Sequence, residues 1–116
     1  MGMTPVDLYR SGNSTSPNLD RVRITGHDPD VDTYTGAAGK IVVEANGKGV
    51  STATAPDPDW SGTPWRLPKG SPYPDTLFVW SDEPGHYLWA PAADMPLENF
   101  KADLHTASKG FVKVSP

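Results

Sequence analysis

Short runs in which apolar and polar residues alternate predict most of the regular structure of this chain. The strands predicted in this way cover residues 6–10, 21–25, 41–45, 49–54, 76–80, 87–90 and 111–114. Asn46-Gly47 is a dipeptide typical of tight hairpins, so the strands on either side of it are expected to pair with each other. The strands 76–80 and 87–90 are joined by a short segment, residues 81–85.

One segment has the spacing of a helix, from Pro96 to about residue 108. Three apolar residues form a stripe along it: Leu97, Phe100 and Leu104. Pro96 suits the first turn, Asp94 or Met95 is expected to cap it, and Gly110 is expected to end it. The chain is therefore predicted to be one domain, residues 1–116, of the α+β class, mostly β with one clear C-terminal helix.

The remaining segments are predicted to be loops. Residues 11–18 carry turn-forming side chains, and residues 27–39 are rich in Asp and Gly, with one short helical turn at most. Residues 55–74 contain six prolines and two tryptophans, which predicts a long loop that is extended over 65–67. Long ordered loops in small domains are often functional.

Composition removes several classes of function. The chain has 116 residues, a formal net charge of −4 and no cysteine. The absence of cysteine excludes a disulfide scaffold, a thiolate zinc site and a cysteine nucleophile. A net negative charge argues against a general nucleic-acid binder, because phosphate binding needs clustered Lys and Arg. No apolar run has membrane-spanning length, and the N-terminus lacks the pattern of a Sec-type signal peptide.

Four short segments occur in an order and spacing that match one family. They are Leu8-Tyr9-Arg10, Gly49-Val50-Ser51-Thr52, His86-Tyr87 followed by Pro91-Ala92, and Met95-Pro96-Leu97. Together they resemble the Tse-type ADP-ribosyltransferase-like toxins, a family named for a type VI secretion effector. The resemblance extends over nearly the whole chain, from residue 8 to about residue 104.

The resemblance implies a fold and an activity. The fold would be a split β core of two small sheets, with NAD bound in the cleft between them. The activity would be transfer of ADP-ribose from NAD to a target macromolecule, or hydrolysis of NAD. A toxin of this kind is expected to be cytoplasmic, or to be delivered by a non-Sec route into a target-cell cytoplasm. It is also expected to be neutralised by a cognate immunity protein or antitoxin.

The resemblance also assigns roles to residues in the first two motifs. Arg10 would anchor a phosphate or the adenine ribose of NAD, since a guanidinium group can hold two phosphate oxygens at once. The Ser51 and Thr52 hydroxyls would fix the nicotinamide ribose and form the floor of the cleft, and Ser51 is also a catalytic candidate. Ala53 stands where the superfamily motif has a third hydroxyl residue.

The third motif carries the remaining catalytic candidates. His86 and Tyr87 occupy the region where most of the superfamily has a glutamate that favours the cationic transition state. The chain has no Glu-x-Glu pattern, and Glu83 is the nearest acidic substitute. His86 and Glu83 are therefore the catalytic candidates here, and Tyr87 faces either the NAD cleft or the core.

The tryptophans divide between cleft and core. Trp65, and with less support Trp60, would stack on the nicotinamide ring, with the core as the alternative position. Trp80 and Trp89 lie in predicted strands and are expected in the core. No metal site is predicted, because the Asp-rich residues 28–32 lack the Gly and the distal Glu of a calcium loop.

Two other functions remain open from the residues alone. His86 and Arg10 would suit a metal-independent ribonuclease, although the chain has only 10 basic residues and no evident basic stripe. A non-catalytic protein-binding domain, with Trp60 and Trp65 as anchors, needs no special chemistry.

Overall fold

The computed structural model describes residues 1–114, in which short strands predominate. The strands are β1 (Gly2–Met3), β2 (Leu8–Gly12), β3 (Thr33–Thr35), β4 (Ile41–Val43), β5 (Val50–Ala53), β6 (Thr63–Leu67), β7 (Pro72–Tyr73), β8 (Leu77–Glu83), β9 (His86–Pro91), β10 (Met95–Pro96) and β11 (Val112–Lys113). A 3₁₀ turn spans Ala37–Gly39, and the helix α1 spans Leu97–Ser108. The predicted fold class, mostly β with one helix, is confirmed.

The strands form three antiparallel sheets. The largest has the order β11-β6-β2-β5-β9-β8, the second has the order β10-β4-β3, and β1 pairs with β7. The six-stranded sheet consists of two halves, β11-β6-β2 and β5-β9-β8. The pair Tyr9–Ala53 is the register position that joins β2 to β5.

The hairpin of β8 and β9 is longer than the alternation predicted. The two strands close at Pro84-Gly85, and Gly85 has a φ of +82°, which favours glycine. The register is irregular between Trp80 and Glu83, so that Glu83 pairs with His86. A bulge of this kind re-aims the side chains of its strand.

Two predicted features of the first half are wrong. The strands 41–45 and 49–54 do not form a hairpin, since β4 belongs to the three-stranded sheet and β5 to the six-stranded sheet. Gly49 explains part of this, because a Cβ there would overlap the Trp89 carbonyl oxygen of β9. Residues 21–25 are not a strand. Their backbone is held instead by Asp30, whose carboxylate accepts the Arg23 N–H at 2.8 Å.

The long loop and the helix cap also differ from expectation. Residues 55–74 contain β6, which pairs with β2, so the predicted extended segment at 65–67 is confirmed within a longer strand. The helix occupies its predicted span, but Pro96 is the N-cap and makes no side-chain cap. Asp94 does not cap α1, because its carboxylate accepts the Ala45 N–H at 2.8 Å and the Tyr34 hydroxyl at 2.7 Å.

The core combines side chains of the six-stranded sheet, of β4 and of α1. Its largest fully buried side chains are Trp89, Phe100, Leu8, Leu19, Leu67 and Leu104. Trp89 is in the core, as predicted, whereas Trp80 is half-buried and donates its indole N–H to the Gly47 carbonyl at 2.8 Å. Within the described residues, no helix is long and apolar enough to cross a membrane.

Candidate functional site

The six-stranded sheet opens immediately beyond the Tyr9–Ala53 pair. On one side, β2 continues along β6, with Arg10 opposite Trp65. On the other side, β5 continues along β9, with Ser51 opposite Leu88. We call the opening between Arg10 and Ser51 the split. The expectation of two small sheets packed face to face, with the cleft between them, is wrong in this respect: the strands on both sides of the split belong to one six-stranded sheet, because the Tyr9–Ala53 pair joins its two halves.

The Arg10 side chain bridges the split. Its Nη1 donates to the Ser51 carbonyl at 2.7 Å, and its Nε and Nη2 donate to the Asn18 carbonyl at 3.2 and 3.1 Å. Asn18 has a φ of 57°, a left-handed conformation that Asn tolerates better than most residues. A guanidinium group has five N–H bonds, so two remain after these three contacts.

The charge of Arg10 is only weakly compensated. Burial lowers the pKa of Arg10, and the more distant Asp30 carboxylate opposes that shift. Among the ion pairs of residues 1–114, none involves Arg10. A half-buried cation whose only direct partners are carbonyl groups is suited to bind an anion.

A cavity of about 370 Å³ lies at the split, and we call it the main cavity. Its lining comes from β2, β5, β9 and the Pro-rich segment before β6: Tyr9, Arg10, Ser11, Ser51, Thr52, Ala53, Asp57, Trp60 and His86. The structure therefore brings together four of the predicted site residues, Arg10, Ser51, Thr52 and His86. It adds Trp60, the less favoured of the two stacking candidates.

Ser51 and Thr52 present their hydroxyls to different surroundings. Thr52 is 2% exposed, and its Oγ1 donates to the Tyr87 carbonyl at 3.2 Å and accepts the Trp89 indole N–H at 3.1 Å. Ser51 is half-buried and lies on the other face of β5, because side chains alternate along a strand. Only the Ser51 hydroxyl is free of bonds to the core.

His86 lines the main cavity and forms a hydrogen-bonded pair with Asp82. Its Nδ1 is 2.6 Å from the Asp82 Oδ1, and the side chains are 29% and 28% exposed. A smaller cavity of about 290 Å³, the side cavity, shares Ser51 and His86 with the main cavity. Its lining is Arg23, Asp28, Pro29, Asp30, Lys48, Gly49, Ser51, Asp82, His86 and Leu88.

The chain was compared with known proteins. The family model described as Tse2 ADP-ribosyltransferase toxin matches residues 4–113. The chain belongs to this family. No curated protein and no solved structure gave a significant match.

Membership of the Tse2 family confirms the resemblance and the predicted class of protein, an ADP-ribosyltransferase toxin. The match covers all four motifs, including those that contribute Arg10, Ser51 and His86 to the main cavity. The roles of these individual residues stay predictions.

Three predicted site residues of this Tse2-family toxin lie outside the lining of the main cavity. Trp65 donates its indole N–H to the Asn13 carbonyl at 2.9 Å, and the Lys113 ammonium lies 5.9 Å from its ring. Tyr87 is partly buried and packs against the core. Glu83 is at the hairpin end, with 69% of its side chain exposed.

One cluster near the site has the composition of a metal site. Asp82, Glu83 and His86 place three potential ligand atoms within 4.8 Å of one another. The His86 Nδ1 is already bonded to Asp82, so a metal bound there would have to displace that hydrogen bond. Glu83 is 3.9 Å from the same nitrogen and is mostly exposed.

Sequence reasoning missed two residues that shape the site. Asp82 escapes notice because only the tight β8–β9 hairpin and its bulge bring it next to His86. Asn18 contributes a carbonyl group, which any residue possesses, and the one signal is its tolerance of the left-handed conformation.

Proposed function

We propose that this toxin binds NAD in the split, across the main cavity and the side cavity, and transfers ADP-ribose to a macromolecule of the target cell. The single observation that carries the proposal is the Arg10 guanidinium. It is held at the cavity by two carbonyl groups, keeps two N–H bonds, and has no carboxylate in direct contact within residues 1–114.

The chemistry of NAD suits these groups. Its two phosphates are anionic, and charge-assisted bonds from a guanidinium group to phosphate are roughly twice as strong as neutral ones. The volume of about 370 Å³ is within the range of small-molecule sites. The adjoining side cavity, which begins at Ser51 and His86, offers room for the second nucleotide half.

Cleavage of NAD breaks the bond between nicotinamide and ribose, and positive charge develops on the ribose. In the proposed complex the Ser51 hydroxyl orients that ribose and Trp60 packs on the nicotinamide ring. His86 and Glu83 stay the catalytic candidates, and His86 is the one that lines the cavity. Fixed polar groups directed at developing charge are the largest single contribution in many enzymes.

The place of action and the partner are part of the proposal. The toxin acts in the cytoplasm of a target cell, where NAD and macromolecular acceptors are available, and it arrives by a route other than Sec. Its producer needs protection, and an immunity protein or antitoxin that covers the split would block access of NAD to Arg10 and Ser51.

The proposal is tested by incubating the protein with NAD labelled in the ADP-ribose part and with a cell lysate. We expect release of nicotinamide and transfer of label to a macromolecule. Arg10→Ala and Ser51→Ala should lose both signals, whereas Arg21→Ala, which removes an exposed arginine, should keep them. NAD should also raise the melting temperature of the wild type and not that of Arg10→Ala.

The same preparations discriminate the alternatives. Release of nicotinamide with no labelled macromolecule would indicate NAD hydrolysis. Cleavage of RNA that His86→Ala abolishes, together with no effect of NAD on melting, would replace the proposal by the ribonuclease. Growth inhibition that survives the triple variant of Arg10, Ser51 and His86 would favour a non-catalytic toxin.

A further inference from the structure

We propose that Asp82 is a positioning residue for His86. Its carboxylate holds the ring in the tautomer with the proton on Nδ1, which leaves Nε2 as a hydrogen-bond acceptor for a ribose hydroxyl in the main cavity. The inference rests on the proposed binding of NAD, and it adds a residue and an atom to that site.

The contact between the two side chains is short and specific. The Nδ1–Oδ1 distance is 2.6 Å, slightly shorter than the roughly 2.7–2.9 Å of charge-assisted N–H···O hydrogen bonds. Both side chains are about 70% shielded from solvent, as their exposed fractions of 29% and 28% show. The other nearby carboxylate, Glu83, is 3.9 Å from Nδ1 and beyond hydrogen-bond distance.

The backbone explains why Asp82 reaches the ring. The hairpin turns in two residues, Pro84-Gly85, and the register of β8 is irregular between Trp80 and Glu83. Asp82 lies inside that irregular stretch. Bulges are over-represented beside functional sites because they redirect a side chain without ending the strand pairing.

The position of the pair relative to the two cavities assigns the ring nitrogens. Asp82 lines the side cavity but not the main cavity, whereas His86 lines both. The Nδ1 edge of the ring is therefore occupied on the Asp82 side, and Nε2 is the nitrogen left for a ligand in the main cavity. Which nitrogen of a histidine carries the proton is set by the bond that the other nitrogen makes.

The Asp82–His86 pair supplies the hydrogen-bond acceptor and the negative charge that the absent Glu-x-Glu pattern would otherwise supply. A ribose hydroxyl needs an acceptor, and the developing positive charge needs a negative group nearby. Nε2 is the acceptor, and the Asp82 carboxylate behind the ring is the negative group. If the proton moved to Nε2, that nitrogen would become a donor and could no longer accept the proton of the ribose hydroxyl.

The first test measures the tautomer directly, without NAD. Protein labelled with ¹⁵N in histidine is examined by NMR at a pH of about 8.5, where an ordinary imidazole is neutral. We expect His86 to carry its proton on Nδ1 in the wild type, and Asp82→Asn to shift population to the Nε2–H form. Asp75→Asn, the same change at an exposed position just before β8, should leave the tautomer unchanged. An identical tautomer in Asp82→Asn and wild type would overturn the inference.

The second test measures catalysis. We expect Asp82→Asn to lower the rate of nicotinamide release by roughly tenfold to a hundredfold, as for other partners that orient a functional histidine, with NAD affinity changed by less than about threefold. Asp75→Asn should retain the wild-type rate. An unchanged rate in Asp82→Asn overturns the inference but leaves the proposed function standing. No nicotinamide release by the wild type defeats the proposed function, and the role toward ribose with it, whatever the tautomer.

Discussion

Two neighbouring regions of the six-stranded sheet differ in whether all of their hydrogen-bond donors are used within the protein. In the core beneath β5 and β9, two hydrogen bonds link three residues. The Trp89 indole N–H donates to the Thr52 hydroxyl at 3.1 Å, and this hydroxyl donates to the Tyr87 carbonyl at 3.2 Å. At the split, Arg10 also donates to protein carbonyls, but two of its N–H bonds remain. Both the N–H and the O–H donor of this core group are therefore used, whereas the split keeps two N–H donors for a ligand.

The comparison shows that one short motif serves both regions. Val50 and Thr52 are buried in the core, and Ser51, between them, is half-buried at the cavity. Alternation along β5 alone makes this division. A motif shared with a toxin family therefore contains residues that stabilise the fold and residues that shape the site, and substitutions can separate the two.

The largest expected effect is that of Arg10→Ala. The variant removes the cation from the main cavity, and NAD affinity should fall about thirtyfold or more, as for loss of a partner in a desolvated charge pair. It also deprives the Ser51 and Asn18 carbonyls of their donors, which should cost about 1–3 kcal/mol of unfolding free energy. Calorimetric titration and urea unfolding measure the two quantities.

Arg10→Lys is the matched control for the charge. It keeps a cation but cannot contact both carbonyl groups with a planar fork. We expect partial recovery of NAD affinity and little recovery of stability. Wild-type NAD affinity in Arg10→Ala would show that the guanidinium is only a structural bridge across the split.

The next effect is a contrast between adjacent residues. Thr52→Val leaves the Trp89 indole N–H buried without its acceptor, and should lower the unfolding free energy by about 1–3 kcal/mol. Ser51→Ala should change stability by less than about 0.5 kcal/mol and lower NAD affinity by roughly tenfold. Urea unfolding and NAD titration of both variants test the contrast. The opposite ranking of their stabilities would contradict the division of the motif.

A smaller effect is expected at the Pro-rich segment. Trp60 lines the main cavity and also a neighbouring groove with Pro56, Pro58 and Pro64. Trp60→Ala should weaken NAD binding by about threefold to tenfold through lost ring contact. Phe78→Ala, which removes a 52% exposed aromatic ring from β8, is the control and should bind NAD normally. Equal affinities for NAD in the two variants would remove Trp60 from the site.

The smallest expected effect is at Asp94, which lies beside the three-stranded sheet and outside the two regions compared above. The Ala45 N–H and then the Tyr34 hydroxyl lower the pKa of Asp94 below the ordinary value of 3.8. A carboxyl group whose pKa is lowered in the folded protein stabilises the fold at pH values above 3.8. That contribution is lost as the pH falls from 3.8 toward the lowered pKa. The Asp94→Asn variant should therefore have a slightly lower melting temperature than the wild type near neutral pH. Its melting temperature should also fall less steeply as the pH is lowered into the acid range. A parallel pH profile for variant and wild type would contradict this assignment.

Local patterns were sufficient for some elements and not for others. The stripe of Leu97, Phe100 and Leu104 predicted the helix, because amphipathic spacing is a property of one segment. Asn46-Gly47 predicted a turn, but not which sheet each flanking strand joins. That choice depends on contacts with distant residues, such as the close approach of Gly49 to the backbone of β9.

The site shows the same division. Arg10, Ser51, Thr52 and His86 were selected from motifs, and the structure brings them to one cavity although they are far apart in the chain. Of the two tryptophans considered for stacking on nicotinamide, Trp60 lines this cavity and Trp65 does not, because β6 pairs with β2 and Trp65 donates to Asn13. Side-chain type indicates what a residue can do, but its partners decide what it is free to do.

By itself, the sequence determined the class of fold, the family and the residue types available for catalysis, since these depend on composition, on spacing and on motifs within single segments. The tertiary structure decided where the sheet opens, which hydroxyl of Ser51-Thr52 stays unbonded, and that Asp82 lies beside His86. The first two are properties of strand pairing over long sequence separations. The third depends on the register of one hairpin, whose irregularity places Asp82 beside a residue only four positions away in the chain. No local pattern encodes the first two, because each depends on a contact between segments that the chain brings together only when it folds, and the third depends on a strand register that residue types alone do not specify.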